Sequence, residues 1–237
     1  MYPRIWMAIL AAMLAIGLVA CGNSTSQPSA NQPAAPTAAP TAQSAAAPAT
    51  SSGGAASGAR TFTIVPEQTE ASYEVQEQFL NRDLPSQAIG KTNAVTGELQ
   101  LSLNGKPSGK VTNITVDLRT LTSNESRRDN RIRQQWLESQ KYPYAVFTST
   151  DAQGIPESYT EGQDVSFKLI GDMTVHNVTK PVTFDVTGKL VGDTITGSAK
   201  TQILMKDFGI DPPSIAGMLT VKDGVTITIN FTAKEAK

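Results

Sequence analysis

The chain has 237 residues, with 20 basic and 21 acidic side chains, one His and one Cys. This balance argues against nucleic acid as a partner, because phosphate binding needs a basic surface. One His and one Cys leave no ligand set for zinc or an iron–sulfur cluster, and no internal disulfide.

Residues 1–20 read as a secretory signal peptide. Arg4 gives a short basic start, Trp6 to Gly17 is apolar, and Leu18-Val19-Ala20 leads into Cys21. Small residues at the end of a short apolar run mark a processing site. A cysteine directly after the cut has the form of a bacterial lipobox, in which its thiol receives a diacylglycerol. Cys21 is then the lipidation site and the membrane contact, and the protein is expected on the cell membrane, facing the periplasm or the extracellular side. An uncleaved spanning helix is the weaker reading, since the run is near the lower length limit.

Residues 21–59 form the next unit. Gly22 to Ala59 is Ala, Pro, Ser, Thr, Gln, Asn and Gly, with no charge and no aromatic residue. Such a composition cannot bury enough apolar surface to offset its ordering entropy. It is expected to be a disordered tether, with Pro-biased stretches such as Pro33-Ala34-Ala35-Pro36.

Residues 60–237 are expected to be one folded domain. They hold every charged residue except Arg4, which leaves a net charge near −2. Period-two alternation dominates, the mark of strands with one buried face. It runs through Leu99, Leu101 and Leu103, then Ile114, Val116 and Leu118. It returns at Val165, Phe167 and Leu169 toward Met173 and Val175, at Val182, Phe184 and Val186, and from Val225 to Ala233. Asn104-Gly105, Gly192-Asp193 and Asp223-Gly224 read as turns between strands. Many short strands at hairpin spacing predict an all-β antiparallel barrel or sandwich.

One segment, near residues 123–139, breaks this pattern. Thr122 and Glu125 have capping-box spacing, with Thr122 as the N-cap. Ile132 and Trp136 recur at helical spacing, Asp129 and Arg133 can pair at i,i+4, and Tyr142-Pro143 ends the helix. A helix of roughly three to four turns is expected there, covering a sheet face or plugging a barrel mouth.

Three blocks resemble the YceI-like family, also called polyisoprenoid-binding or lipocalin-like. Arg128-Asp129-Asn130-Arg131-Ile132 with Tyr142-Pro143-Tyr144-Ala145-Val146-Phe147-Thr148-Ser149 resembles that family's helix and following strand. Gly171 to Val182 is similar to its "G-x-L-T-[IV]-x-G-V-T-K-P-V" hairpin, and Lys206-Asp207-Phe208-Gly209-Ile210 resembles its "D-F-G" block. Asn177 stands where the family usually has Gly, which places a positive φ on Asn. Trp136 stands where Phe is common, and the interval from Glu77 to Asn93 is unusually polar.

The resemblance implies a lipocalin-like antiparallel β-barrel of about eight strands with one helical insertion. It also implies an apolar lumen for a long isoprenoid or similar lipid. Carried onto this chain, the lumen residues are Leu101, Val116, Phe147, Phe167, Leu169, Phe184, Ile203, Ile229 and Phe231, with Trp136 on the helix. The same residues also suit an ordinary packed interior.

Arg128, Arg131 and Arg133 are candidates for a phosphate, pyrophosphate or quinone headgroup, since guanidinium forks suit such groups. A solvated helix face, paired with Asp129 and nearby acids, is the simpler reading of them. His176, the only side chain suited to proton chemistry near neutral pH, is expected to be structural or exposed. Phosphate-loop, dinucleotide and esterase motifs are absent, so an enzyme is not expected. No cofactor is expected beyond a bound isoprenoid lipid or quinone. The sequence leaves the oligomeric state open, a homodimer included.

Overall fold

The structure is a computed structural model and describes residues 58–237. Cys21, the signal peptide and nearly all of the tether lie outside the described residues.

Pro66 sets the first feature of the fold. It has no N–H for a sheet ladder and starts a short 3-10 turn, so the chain bends between β1 (Ala59–Ile64) and β2 (Glu70–Phe79). A second bend at Asn93-Ala94 divides β3 (Ser86–Thr92) from β4 (Val95–Ser102). The bends match, because β1 pairs with β4 and β2 pairs with β3, both antiparallel. Each pair of segments is thus one long bent strand.

The sheet continues through β5 (Ser108–Asp117), β6 (Tyr144–Gln153), β7 (Val165–Val175), β8 (Val178–Val191) and β9 (Thr194–Leu204). It ends with β11 (Leu219–Glu235), and the two-residue β10 (Ser214–Ile215) pairs with the start of β11. The end of β11 pairs with β1, Phe62 opposite Glu235, and its longer part pairs with β2. The sheet therefore closes on itself as an antiparallel barrel of eight strands, each bent pair counted once. Closure is complete within the described residues, so a chain of residues 58–237 carries every strand of the barrel and its whole core.

Two glycines show how the interior is filled. A Cβ on Gly90 would lie 2.2 Å from Tyr73 Cε1, because the Tyr73 ring lies across the bare backbone of the neighbouring strand. A Cβ on Gly171 would lie 2.6 Å from Phe147 Cζ and 2.3 Å from the Thr148 carbonyl. Both glycines make room for an aromatic ring that points inward.

The long β5–β6 connection carries the helical segment. Helix α1 (Ser126–Arg131) runs into one π-helical turn, Ile132–Trp136. The cap is not Thr122. Glu125 is the N-cap, its carboxylate accepting from Arg127 N at 3.1 Å. Thr122 instead exchanges backbone hydrogen bonds with Lys91 and ties the segment to β3. The Asp129–Arg133 pair does not form either. The buried Asp129 accepts from Ser123 N and Oγ, and Arg133 donates to the Leu121 carbonyl at 2.7 Å and to Asn130.

The Asp223-Gly224 turn is also corrected. Both residues lie inside β11, where the register with β2 shifts between Val221 and Val225. The Asp223 carboxylate accepts from Lys206 N at 3.1 Å, so this dipeptide makes a bulge.

Candidate functional site

The inward faces of the strands enclose two adjoining cavities. The larger, about 520 Å³, lies at the helix end of the barrel. Its wall includes Tyr73, Val75, Glu77 and Phe79 from β2, Val116 and Leu118, Trp136, Met173, Ile203 and Phe208. The smaller, about 190 Å³, lies at the end that carries both termini of the barrel. Its wall includes Leu99, Leu101, Leu103, Tyr159, Phe167, Leu169, Leu190 and Phe231. Ile114, Phe147, Phe184 and Ile229 line both. Phe147 and Phe184 meet edge to face, centroids 5.0 Å apart, and form a waist between the chambers.

The narrow chamber is apolar almost throughout. Its Tyr159 hydroxyl donates to the Leu190 carbonyl at 2.9 Å and accepts from Leu190 N at 2.8 Å, which leaves it little for a ligand. The wide chamber is different. Glu77 is 4% exposed, yet it occupies an inward position of β2 in step with Ala71, Tyr73, Val75 and Phe79. Burying a carboxylate is costly unless it is paired. Its single hydrogen bond among the described residues comes from Arg128 Nη1 at 3.4 Å. Arg128 also donates to Ser123 and Asn124, so it is held on three sides.

Tyr73 shares this wall, and burial pushes its phenol up to about 12. The nearby Arg128 lowers it and Asp129 and Glu77 raise it further. Opposite Glu77 on β3 stands Ser86, whose hydroxyl is the one buried side-chain polar atom without a partner among the described residues. Residues directly opposite in an antiparallel pair share a face.

At the same end, His176 and Asn177 form the β7–β8 turn with φ of 52° and 60°, as a two-residue hairpin requires. The His176 ring nitrogen Nε2 lies 2.8 Å from Glu138 Oε2, and its ring meets Tyr142 edge-on at 4.3 Å. This contact fastens the hairpin to the chain that follows the helix.

Residues 62–233 match the YceI-like domain. The chain belongs to the YceI-like family. It is 38% identical over 109 residues to a UPF0312 protein of Pseudomonas putida, covering 42% of this chain and 53% of that one. It is 34% identical over 113 residues to protein YceI of Escherichia coli, covering 44% and 54%. The chain spans about half the length of the curated relatives it matches.

Two solved structures share the fold. One is BcnA of Burkholderia cenocepacia, with a TM-score of 0.52 at 17% identity, over 72% of this chain and 99% of that one. The other is a polyisoprenoid binding domain from Saccharophagus degradans, with a TM-score of 0.55 at 12% identity, over 74% and 98%.

In this YceI-like barrel, all ten apolar residues named from the sequence face a chamber. Leu101, Phe167, Leu169 and Phe231 line the narrow one, and Val116, Trp136 and Ile203 the wide one. Phe147, Phe184 and Ile229 line both. The arginines divide. Arg128 and Arg131 line the wide chamber, as does Arg127, whereas Arg133 is turned to the Leu121 carbonyl and is not part of the wall. Glu77, Tyr73 and Ser86 did not stand out in the sequence. The available signal was parity, since Glu77 falls in step with Tyr73, Val75 and Phe79.

Proposed function

We propose that this YceI-like barrel binds a long apolar molecule, an isoprenoid lipid or isoprenoid quinone, and carries it between membrane and lumen. The observation that carries this reading is the pair of adjoining chambers, about 520 and 190 Å³, with walls that are mostly apolar. A tail threads the waist between them, and Arg128 and Arg131 stand at the head end. The relative from Saccharophagus degradans, described as a polyisoprenoid binding domain, supports the ligand class. In the same proposal, Cys21 is lipidated and holds the barrel on the outer side of a cell membrane.

Burial of about 500 Å² of tail contributes roughly 12 kcal/mol gross at 25 cal/mol per Å². Association entropy and the loss of the bilayer's own apolar surroundings offset much of it. A modest net affinity suits a carrier more than a trap.

The test is native mass spectrometry of residues 58–237 purified from a bacterial host, followed by solvent extraction and identification of the bound lipid. A stoichiometric prenyl chain or quinone is expected. An empty barrel that also fails to take up added isoprenoids would favour a filled, structural barrel.

A further inference from the structure

The chamber wall at the helix end carries information about the ligand's head, and the inference drawn from it rests on the lumen reading above. We infer that Glu77 sorts ligands by head group, admitting a neutral hydroxyl-bearing head and disfavouring a phosphate.

Three observations meet at one place. Glu77 is buried, lines the wide chamber and accepts only the long 3.4 Å hydrogen bond from Arg128. An ionised carboxylate offers about four acceptor sites, so most of its capacity is unfilled. Tyr73, four residues earlier on the same inward face, lines the chamber too, and its hydroxyl makes no hydrogen bond within the described residues. Ser86, directly opposite Glu77, has a buried hydroxyl without a partner. Buried polar groups are normally well bonded, and a carboxylate and a phenol left largely unused on one cavity wall, beside the orphaned Ser86 hydroxyl, describe a missing polar group.

A hydroxyl head fits this arrangement. It donates to an open acceptor site of Glu77, and the Tyr73 hydroxyl on the same wall is free to donate to its oxygen. A phosphate does not fit. It brings negative charge against a buried carboxylate, where the repulsion between like charges is weakly screened. Arg128, the cation nearest the chamber interior, is already held by Glu77, Ser123 and Asn124. Arg127 and Arg131 reach the wall from the solvent side, where both are exposed.

The experiment compares one tail with two heads. Residues 58–237 contain a single tryptophan, Trp136, which lines the wide chamber and reports occupancy by fluorescence. Farnesol, farnesyl monophosphate and the head-free hydrocarbon farnesene are titrated in turn. The expected result is that farnesol binds about tenfold more tightly than the phosphate, the scale of one hydrogen bond to a charged group. Glu77→Gln leaves Arg128 without its anion, and the preference is expected to collapse or invert toward the phosphate. Tyr73→Phe is expected to weaken farnesol several-fold and leave the phosphate unchanged.

Thermal unfolding verifies that each variant folds, and if Glu77→Gln does not, Tyr73→Phe carries the test. A wild type that prefers the phosphate, or a head preference untouched by the variants, overturns the inference while farnesene binding leaves the lumen reading intact. Failure of all three ligands to bind overturns both.

Discussion

The two chambers of the barrel are built from the same strands, yet they differ in character. The narrow chamber is closed to hydrogen bonding, because its tyrosine is satisfied twice by Leu190. The wide chamber keeps Glu77, Tyr73 and the neighbouring Ser86 underused. The difference gives the lumen a direction. An apolar chain loses nothing by entering the narrow end, whereas a polar head has partners only at the helix end. The waist of Phe147 and Phe184 marks the change between them.

Removing the waist is the strongest way to break that contrast. Phe184 is 3% exposed and packs in the main core. Phe184→Ala is expected to cost about 4 kcal/mol, as for other buried aromatics. It should also merge the chambers. Urea unfolding measures the first effect, and the length of the tails that co-purify measures the second. A variant as stable as the wild type would show that the ring pair is not packed as a partition.

Tyr73 sharpens the contrast from the polar side. Its phenol has a folded-state value of about 12 against an ordinary 10.0. The stability linked to it is therefore present below pH 10 and lost as pH rises toward 12. Over that window the wild type is expected to lose on the order of 2 kcal/mol more than Tyr73→Phe. Urea midpoints at the two ends of the window give the difference. Parallel pH profiles would place the ring in water instead of the chamber wall.

The smallest effect is expected at the narrow end, where β1 meets β11. Arg60 donates to both oxygens of Glu235, at 2.8 and 2.6 Å, and these hydrogen bonds hold the Glu235 carboxyl below its usual range. Its stabilisation is present above the ordinary glutamate range and is lost as pH falls through the depressed value. Both side chains are partly exposed, so the contribution is small. Glu235→Gln should lower the unfolding midpoint slightly at neutral pH and match the wild type once the pH has fallen below the depressed value. An unchanged midpoint at neutral pH would assign closure to the backbone ladder alone.

Much of this barrel was legible because burial on one face forces period two. Val165 to Val175 and Val225 to Ala233 announce their strands for that reason. Strand β3 did not, since at Gly90 the apolar filling comes from Tyr73 on the neighbouring strand. Asp223-Gly224 suits a turn or a bulge equally, and only pairing with β2 on one side and β9 on the other makes it a bulge. The helix start was displaced because Asp129 takes up Ser123 N, which moves the cap to Glu125. Glu77 had the right parity, but a glutamate among apolar residues looks the same in sequence whether it faces water or a cavity.

The pairing of β1 with β11 has a consequence for how the molecule comes into being. Arg60 and Glu235 are 175 residues apart, so the contact that closes the barrel is among the most distant in the chain. Folds dominated by such contacts form slowly, because loop entropy is lost before the ladder compensates it. Until β11 finds β1, both strands present unpaired edges, which are templates for association with other chains. The finished barrel has no such edge along this seam. At this seam the exposure to association is therefore limited to the interval between synthesis of β1 and arrival of the last seventeen-residue strand.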